Sequence, residues 1–257
     1  ERISHIYFTS GSTGFPKGCV VGETALLRYC RARNEVFEFS SSSSCLLASP
    51  HTFDPCLGDI FSTWMAGGVL CVASKRTILS SLGKCLQEFR ASHLLTTPTL
   101  FLSLHGSLGP ADLQDLRVVA LGGESMRQSL VEEWGEEVLL LNVYGVTECA
   151  VYQSCSRMRR GGDTKSIGRA IGDNMLLLVA GDGSDPSHLV EEGSGEEGEI
   201  WIAGPQVGLG YLLLPELTQE RFVPHPTLGP CFRTGDIACA TAGGWSLRGR
   251  RDCQVKI

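Results

Sequence analysis

Between residues 45 and 141 the chain repeats one pattern, a short unbroken apolar run followed by a stretch with apolar residues at helical spacing. The runs fall at 45–50, where Pro50 stops the strand, then at 69–73, 94–97, 116–121 and 138–141. Helical spacing occupies 59–65, 78–89 and the residues near Leu100 to Leu104, and an earlier helical pattern runs from Glu23 to Phe39. An unbroken apolar strand has no solvent face, so both of its faces must be covered. Strands alternating with helices provide that cover when the sheet is mostly parallel and carries helices on both faces. This constraint places residues 1–165 in the α/β class.

From about Ser166 the texture changes. Strand-length runs at 175–179, 199–203 and 245–248 are separated by Gly, Asp, Ser and Pro turns such as 180–186. Residues 166–251 therefore read as a small antiparallel β subdomain, with the acidic stretch 191–199 as a solvated loop and hairpin edge. A chain of 257 residues is long enough for a substantial core. Its net charge of −6 and its two short basic clusters, around Arg159 and Arg250, give no electrostatic footprint for nucleic acid. Eleven cysteines are an odd number without a Cys-x-x-Cys pair, which disfavours zinc and points to buried thiols in a reducing, cytoplasmic setting. No apolar run has the length of a membrane span and no signal peptide opens the chain. Glu1 stands two residues before a strand and 254–257 reads as a strand cut in the middle, so the sequence has the look of a piece of a longer chain.

Ahead of the alternation lies Thr9-Ser10-Gly11-Ser12-Thr13-Gly14-Phe15-Pro16-Lys17-Gly18, directly after an apolar run from Ile3 to Phe8. Glycines allow a sharp turn and close backbone approach, exposing N–H groups in a concavity that attracts anions. Ser10, Ser12 and Thr13 add hydroxyl donors and Lys17 a mobile positive charge. The stretch reads as a phosphate cradle. It is neither a Walker A loop, since Gly18 follows Lys17 where Ser or Thr is required, nor a Gly-x-Gly-x-x-Gly fingerprint. A flexible Ser/Gly linker shares the composition, but a strand ahead and a single proline and lysine behind favour the cradle.

Three further stretches sit at strand ends, where open α/β sheets bind ligands. Asp54 follows the run that Pro50 stops, and serves equally well as a ligand-facing carboxylate or as the cap of a helix opening at Pro55. Gly122-Gly123 permits close approach of a flat ligand, or simply a tight turn. Asn142-Val143-Tyr144-Gly145-Val146-Thr147-Glu148 combines an aromatic face, a hydroxyl and a hard oxygen ligand suited to magnesium, although an isolated glutamate is more often a surface charge.

In order and spacing these stretches match one superfamily along essentially the whole chain. The sequence resembles the adenylate-forming enzymes, which include the adenylation domains of nonribosomal peptide synthetases, the acyl-CoA synthetases and the luciferases. The resemblance rests on Tyr7 to Gly18, Asn142 to Glu148, Gly198-Glu-Ile-Trp-Ile-Ala-Gly204 with Gly210-Tyr-Leu212, Phe232-Arg-Thr-Gly-Asp236, and Gly249 to Ile257. Within the superfamily, residues 48–55, 97–100 and 116–124 look most like the β-alanine-activating members. The resemblance implies the N-terminal large domain of such an enzyme, with 1–165 as the ATP- and substrate-binding part, 166–251 as the β subdomain, and 252–257 as the hinge and start of a C-terminal lid. The lid itself, with the lysine that contacts the carboxylate during adenylation, and the first part of the large domain lie outside the sequence.

The resemblance also implies roles. Thr9, Ser10, Gly11, Ser12, Thr13, Gly14 and Lys17 would handle the β- and γ-phosphates. Tyr144 would stack on adenine beside Gly123 and Asn142, Thr147 would meet the α-phosphate, and Glu148 would hold Mg2+. Asp236 would bind the ribose hydroxyls with help from Arg250, and Asp252 would be the hinge. Asp54 would pair with a substrate ammonium, while Val119, Leu121, Val143, Val151 and Tyr152 would line the side-chain pocket. The implied activity is ATP-dependent formation of an aminoacyl-adenylate, β-alanine being one candidate, and transfer to a pantetheine thiol on a carrier domain or CoA. Activation of an uncharged or fatty acid is the alternative, and a non-catalytic nucleotide-binding descendant a third reading. Val146 departs from the proline, and Phe232 from the tyrosine, usual in these motifs.

Overall fold

The computed structural model describes residues 1–9, 15–181 and 188–251. It is a mixed α/β chain of two compact units that interleave in sequence. One unit holds Glu1–Tyr29, Tyr144–Cys155 and the chain from Lys165 onward, and the other holds Cys30–Val143 and Ser156–Thr164. The contacts thus divide the chain differently from a single cut near residue 165.

In chain order, β1 (Ile3–Thr9) and β2 (Lys17–Gly22) form an antiparallel hairpin in which Thr9 opposes Lys17. Thr9 and Lys17, in the stretch expected to be a phosphate cradle, therefore face each other across the hairpin, and residues 10–14 lie outside the described residues. Helix α1 (Glu23–Val36) follows, ending short of the expected Phe39 where Glu38 takes a positive φ of 54°. Then come β3 (Ser44–Leu46), α2 (Pro55–Met65), β4 (Val69–Cys71), α3 (Lys75–Glu88), β5 (His93–Thr96), α4 (Pro98–Leu102), β6 (Val118–Gly122), α5 (Gln128–Trp134) and β7 (Leu139–Tyr144). The remaining elements are β8 (Ser154–Arg157), β9 (Ser166–Ala170), β10 (Met175–Val179), β11 (Glu197–Ala203), β12 (Gly210–Tyr211), α6 (Pro215–Arg221), β13 (Phe222–His225), β14 (Gly229–Thr241) and β15 (Gly244–Arg250).

In the second unit, the strands pair in parallel in the order β4-β3-β5-β6-β7. All five residues of β6 are buried, as an apolar strand covered on both faces must be. Its core joins Leu46, Leu94, Val119, Leu121 and Leu140 to Leu82 and Leu86 of α3 and to Leu130 and Trp134 of α5. Local sequence starts the helices: Ser74 accepts from the Thr77 N–H at the head of α3, and Thr97 from the Leu100 N–H at the head of α4, where Pro98 is preset for the first turn. Helix α2 buries a polar face. Asp59 there takes a 2.6 Å hydrogen bond from the Arg33 guanidinium, which lies 5.0 Å from the ring centroids of both Phe37 and Phe39. Burial raises the Asp59 carboxyl to about 6 against the opposing pull of Arg33.

The first unit is antiparallel. Strands β1-β2-β12 make one small sheet, and β10-β11-β14-β15-β9-β8 run side by side with β13 against β14. Its core includes Cys19, Tyr144, Cys149, Ile200, Ile202, Tyr211 and Phe232. Among the described residues no cysteine forms a disulfide and all but Cys155 are buried. No helix among them is long and apolar enough to cross a membrane.

His93 opens β5 almost without solvent contact, at 2% exposure. Its Nε2 lies 2.8 Å from the Phe37 carbonyl and its Nδ1 2.7 Å from the Ser92 hydroxyl. A carbonyl only accepts, so Nε2 carries the proton of a neutral ring. Burial pushes the imidazole down to about 4. The unfolded chain therefore binds a proton between about pH 6.5 and 4 that the folded chain refuses, and stability, complete above that window, falls as pH drops through it. The loss amounts to about 3 kcal/mol for this group. Urea midpoints for wild type and His93→Gln, measured near neutrality and near pH 4.5, should converge as pH falls; a constant gap would refute the assignment.

Candidate functional site

The first unit gathers five of the expected nucleotide-site residues, Lys17, Tyr144, Glu148, Asp236 and Arg250, into two clusters. The first forms where β14 leaves its ladder. Glu199 opposes Ile237 and Trp201 opposes Arg233, so two steps along β11 match four along β14, with Thr234-Gly235-Asp236 bulging between. Gly235 holds φ at 77°, a conformation other residues rarely adopt. On the other side Asp236 opposes Arg250 directly. The consequence is a buried carboxylate met by donors on both oxygens: the Tyr144 hydroxyl reaches Oδ2 at 2.6 Å and the Arg250 guanidinium reaches Oδ1 at 2.9 Å. Burial first, then the Asp236 charge, raises the Tyr144 phenol well above its ordinary range, so it remains a donor.

Glu199 pins the bulge from behind. Its Oε1 accepts the Gly235 N–H at 3.2 Å and its Oε2 the Arg233 guanidinium at 3.2 Å, while only 2% of the residue is exposed. The expectation of a solvated edge for residues 191–199 fails at Glu199, because a bulge on the neighbouring strand presents a backbone donor and a cation to it.

The second cluster centres on Tyr211 of β12. Its hydroxyl donates to Glu148 Oε1 at 2.8 Å, and the Lys17 ammonium lies 5.0 Å from its ring centroid. Burial, then the Glu148 charge, raises the Tyr211 phenol. The Gly208 N–H donates to the Glu148 carbonyl at 2.8 Å, leaving Glu148 Oε2 without a partner among the described residues. Thr147 and Glu148 occupy a single 3-10 turn, Thr147–Cys149, followed by Ala150 and Val151 at φ values of 61° and 72°. A β-branched residue at positive φ is strained, and such strain persists only where the surroundings impose it. Gln153 bridges this turn: its amide oxygen accepts the Val146 N–H at 3.0 Å, and its amide nitrogen donates to the Cys149 carbonyl at 2.7 Å and the Ala150 carbonyl at 3.3 Å. Thr9 ends β1 with its hydroxyl 3.7 Å from the Cys19 thiol. Tyr152 is half-buried.

The second unit holds the other expected residues. Asp54 stands at the N-cap position of α2 and is 5% exposed, but its side chain makes no cap hydrogen bond, so the capping alternative is not realised. Gly123 has φ 81° and open space where a Cβ would lie, which suits close ligand approach. Asn142 is buried, with its amide 3.4 Å from the Thr164 carbonyl. Val143 is also buried. Val119 and Leu121 are fully buried in the hydrophobic core beneath α3 and α5. Ser10, Gly11, Ser12, Thr13, Gly14 and Asp252 lie outside the described residues.

Sequence reasoning assigned no role to Gln153, Tyr211 or Glu199. Tyr211 was within reach, since it lies in the Gly210-Tyr-Leu212 motif, but nothing local marks Gln153. Replacing Tyr144 by Phe should cost about 1.5–3 kcal/mol of stability, because a buried carboxylate loses a donor to a charged acceptor. Thermal or urea unfolding checks this; an unchanged midpoint would show that the hydrogen bond contributes nothing.

Residues 1–212 match the family model described as AMP-binding enzyme. Among curated proteins, the chain is 36% identical to nonribosomal peptide synthetase GRA1 of Gibberella zeae, across all of this chain and 3% of that protein. It is 34% identical to nonribosomal peptide synthetase ivoA of Emericella nidulans, across all of this chain and 15% of that protein. The chain thus spans only a small part of these relatives. Among solved structures, the Vibrio cholerae adenylation domain AlmE, in complex with glycyl-adenosine-5′-phosphate, superposes with TM-score 0.87 at 30% identity over 98% of this chain and 49% of that one. PA1221, a protein containing adenylation and PCP domains, superposes with TM-score 0.83 at 27% identity over 99% and 45%. Its matched residues and its fold make the chain a member of the AMP-binding enzyme family.

Proposed function

We propose that this chain carries the nucleotide-binding part of an enzyme that activates an amino acid as an aminoacyl-adenylate, releases pyrophosphate, and passes the acyl group to a pantetheine thiol on a carrier domain. The observation that carries this reading is the pair of clusters in the first unit, Tyr144–Asp236–Arg250 and Lys17–Tyr211–Glu148, within a chain of this family. The relatives support it. AlmE is solved with glycyl-adenosine-5′-phosphate, and PA1221 contains a PCP domain as well as its adenylation domain.

In the proposed reaction a substrate carboxylate oxygen attacks the α-phosphorus of ATP, a new C(O)O–P bond forms, and the bond to the pyrophosphate oxygen breaks. No side-chain nucleophile is required, and such transfers depend on positioning and charge neutralisation. Asp236 binds the ribose hydroxyls with help from Arg250, its carboxylate held in place by Tyr144 and Arg250. Tyr144 serves the face of the base, Gly123 and Asn142 its edge, and Thr147 the α-phosphate. Lys17, with Thr9 and residues 10–14, holds the outgoing phosphates. Glu148 fits Mg2+: it is a hard oxygen ligand oriented by Tyr211 with Oε2 unengaged among the described residues, and this cation takes one or two carboxylates plus phosphate oxygens. When bound, Mg2+ neutralises charge on the phosphates. Asp252 serves as hinge to a lid, with 1–165 and 166–251 as the two working parts of the large domain. Val119, Leu121, Val143, Val151 and Tyr152 are the candidate contacts of the substrate side chain.

Asp54 selects an amino acid over an uncharged acid. It is a buried carboxylate, and a desolvated ammonium needs such a partner. β-Alanine heads the candidate substrates because of the resemblance of 48–55, 97–100 and 116–124. ATP–pyrophosphate exchange on the protein in its full natural length, across a panel of amino and fatty acids, should show turnover with a small amino acid. Asp54→Ala should cut kcat/KM for it by about 100-fold or more, the cost of an unpaired ammonium. Exchange with uncharged acids only would replace this reading by acyl-CoA synthesis.

A further inference from the structure

We infer that Gln153 is a positioning residue that sets the Thr147–Glu148 turn for nucleotide, an inference that rests on the functional reading above. Gln153 is fully buried, and its one amide clasps both ends of the turn. The carboxamide oxygen takes the N–H of Val146, just before Thr147, and the carboxamide nitrogen reaches the carbonyls of Cys149 and Ala150, just after Glu148. The orientation of the amide is dictated by chemistry, since an N–H can only face its oxygen and carbonyls can only face its NH2. Gln206, also buried, places its own amide oxygen 3.5 Å from the same nitrogen. The Gln153 backbone is itself fixed, its N–H on the Tyr144 carbonyl at 2.9 Å and its carbonyl accepting from Ile171 at 2.9 Å.

The geometry explains why Ala150 and Val151 hold positive φ. Release of the clasp would let both residues relax toward negative φ, and the turn carrying Thr147 and Glu148 would unwind with them. There is little slack elsewhere. A Cβ at Gly145 would lie 2.2 Å from the Val151 carbonyl oxygen and 2.9 Å from Gln153 Oε1, so the chain is pressed against the clasp. Tyr211 orients the Glu148 carboxylate from outside, while Gln153 fixes the backbone that delivers it.

The test compares wild type, Gln153→Met and Gln153→Glu in the protein of full natural length, by Mg·ATP binding calorimetry, ATP–pyrophosphate exchange and thermal melting. Methionine keeps the volume and removes the hydrogen bonds. We expect exchange kcat to fall about 10- to 100-fold, the usual effect of losing a group that orients a metal ligand. The Mg2+ concentration for half-maximal exchange should rise while KM for the amino acid stays within about twofold, since binding of that substrate is not what the clasp controls. In Gln153→Glu the introduced carboxyl mimics the amide only when protonated, donating its O–H to a carbonyl. The activity of that variant should therefore recover as pH falls, through an ionisation absent from wild type. Unchanged kcat and Mg2+ dependence in Gln153→Met, or a Gln153→Glu profile parallel to wild type, would overturn the inference. If Gln153→Met does not fold, the pH profile of Gln153→Glu decides. A wild type that binds Mg·ATP but exchanges pyrophosphate with no amino acid defeats the proposed function instead, and the Mg·ATP affinities of the variants then decide the role of Gln153.

Discussion

The buried carboxylate of Asp236 is the interaction on which the first unit is built. A carboxylate removed from water must be met by donors, and Tyr144 at the end of one strand and Arg250 opposite it on another reach it from distant parts of the sequence. Satisfying it fixes three things together. It holds the aromatic ring of Tyr144, it ties β15 to β14 at the register where Asp236 opposes Arg250, and it requires the Thr234–Asp236 bulge that turns the carboxylate out of the ladder. Glu199 then satisfies the donors that the bulge sets free, the Gly235 N–H and the Arg233 guanidinium.

The second cluster follows the same logic with a weaker hold. Glu148 is half-buried and engaged through one oxygen only among the described residues, which suits a group meant to exchange a protein contact for a ligand. Its support comes from a tyrosine on a two-residue strand and from a strained turn clasped by a single amide. Rigidity is concentrated in the backbone that delivers the carboxylate. The carboxylate itself keeps freedom at Oε2. This division between a fixed frame and an available ligand atom is what a positioning mechanism of catalysis requires.

Much of the parallel unit was legible because its signal is local. The apolar run at 116–121 became the fully buried β6, and the break at Gly122-Gly123 falls at its end. Boundaries drifted where a tertiary partner set the length. The run at 45–50 supplies only the three-residue β3, because its neighbour β4 is also three residues long. Glu199 was misread for the complementary reason: an acidic stretch looks solvated unless the donors that bury one of its members are known, and those donors lie on a different strand.

By itself, then, the sequence determined the α/β class, the alternation that makes a parallel sheet, the antiparallel character of the later residues, and the identities of Tyr144, Glu148, Asp236, Arg250 and Lys17 as a set worth assembling. The class and the strand and helix pattern follow from periodicity and turn chemistry, which are properties of neighbouring residues, and the set of five follows from the resemblance of their motifs to those of the adenylate-forming enzymes. Only the tertiary structure decided that Thr9 and Lys17 pair across a hairpin, that residues 1–29 and 144–155 pack with the later β region, and that Asp54 makes no cap hydrogen bond to its helix. Only the tertiary structure, too, brought Gln153, Glu199 and Tyr211 into the site. Their partners are set by register and by bulges, and a hydrogen bond across a fold leaves no trace in the spacing of the residues that make it.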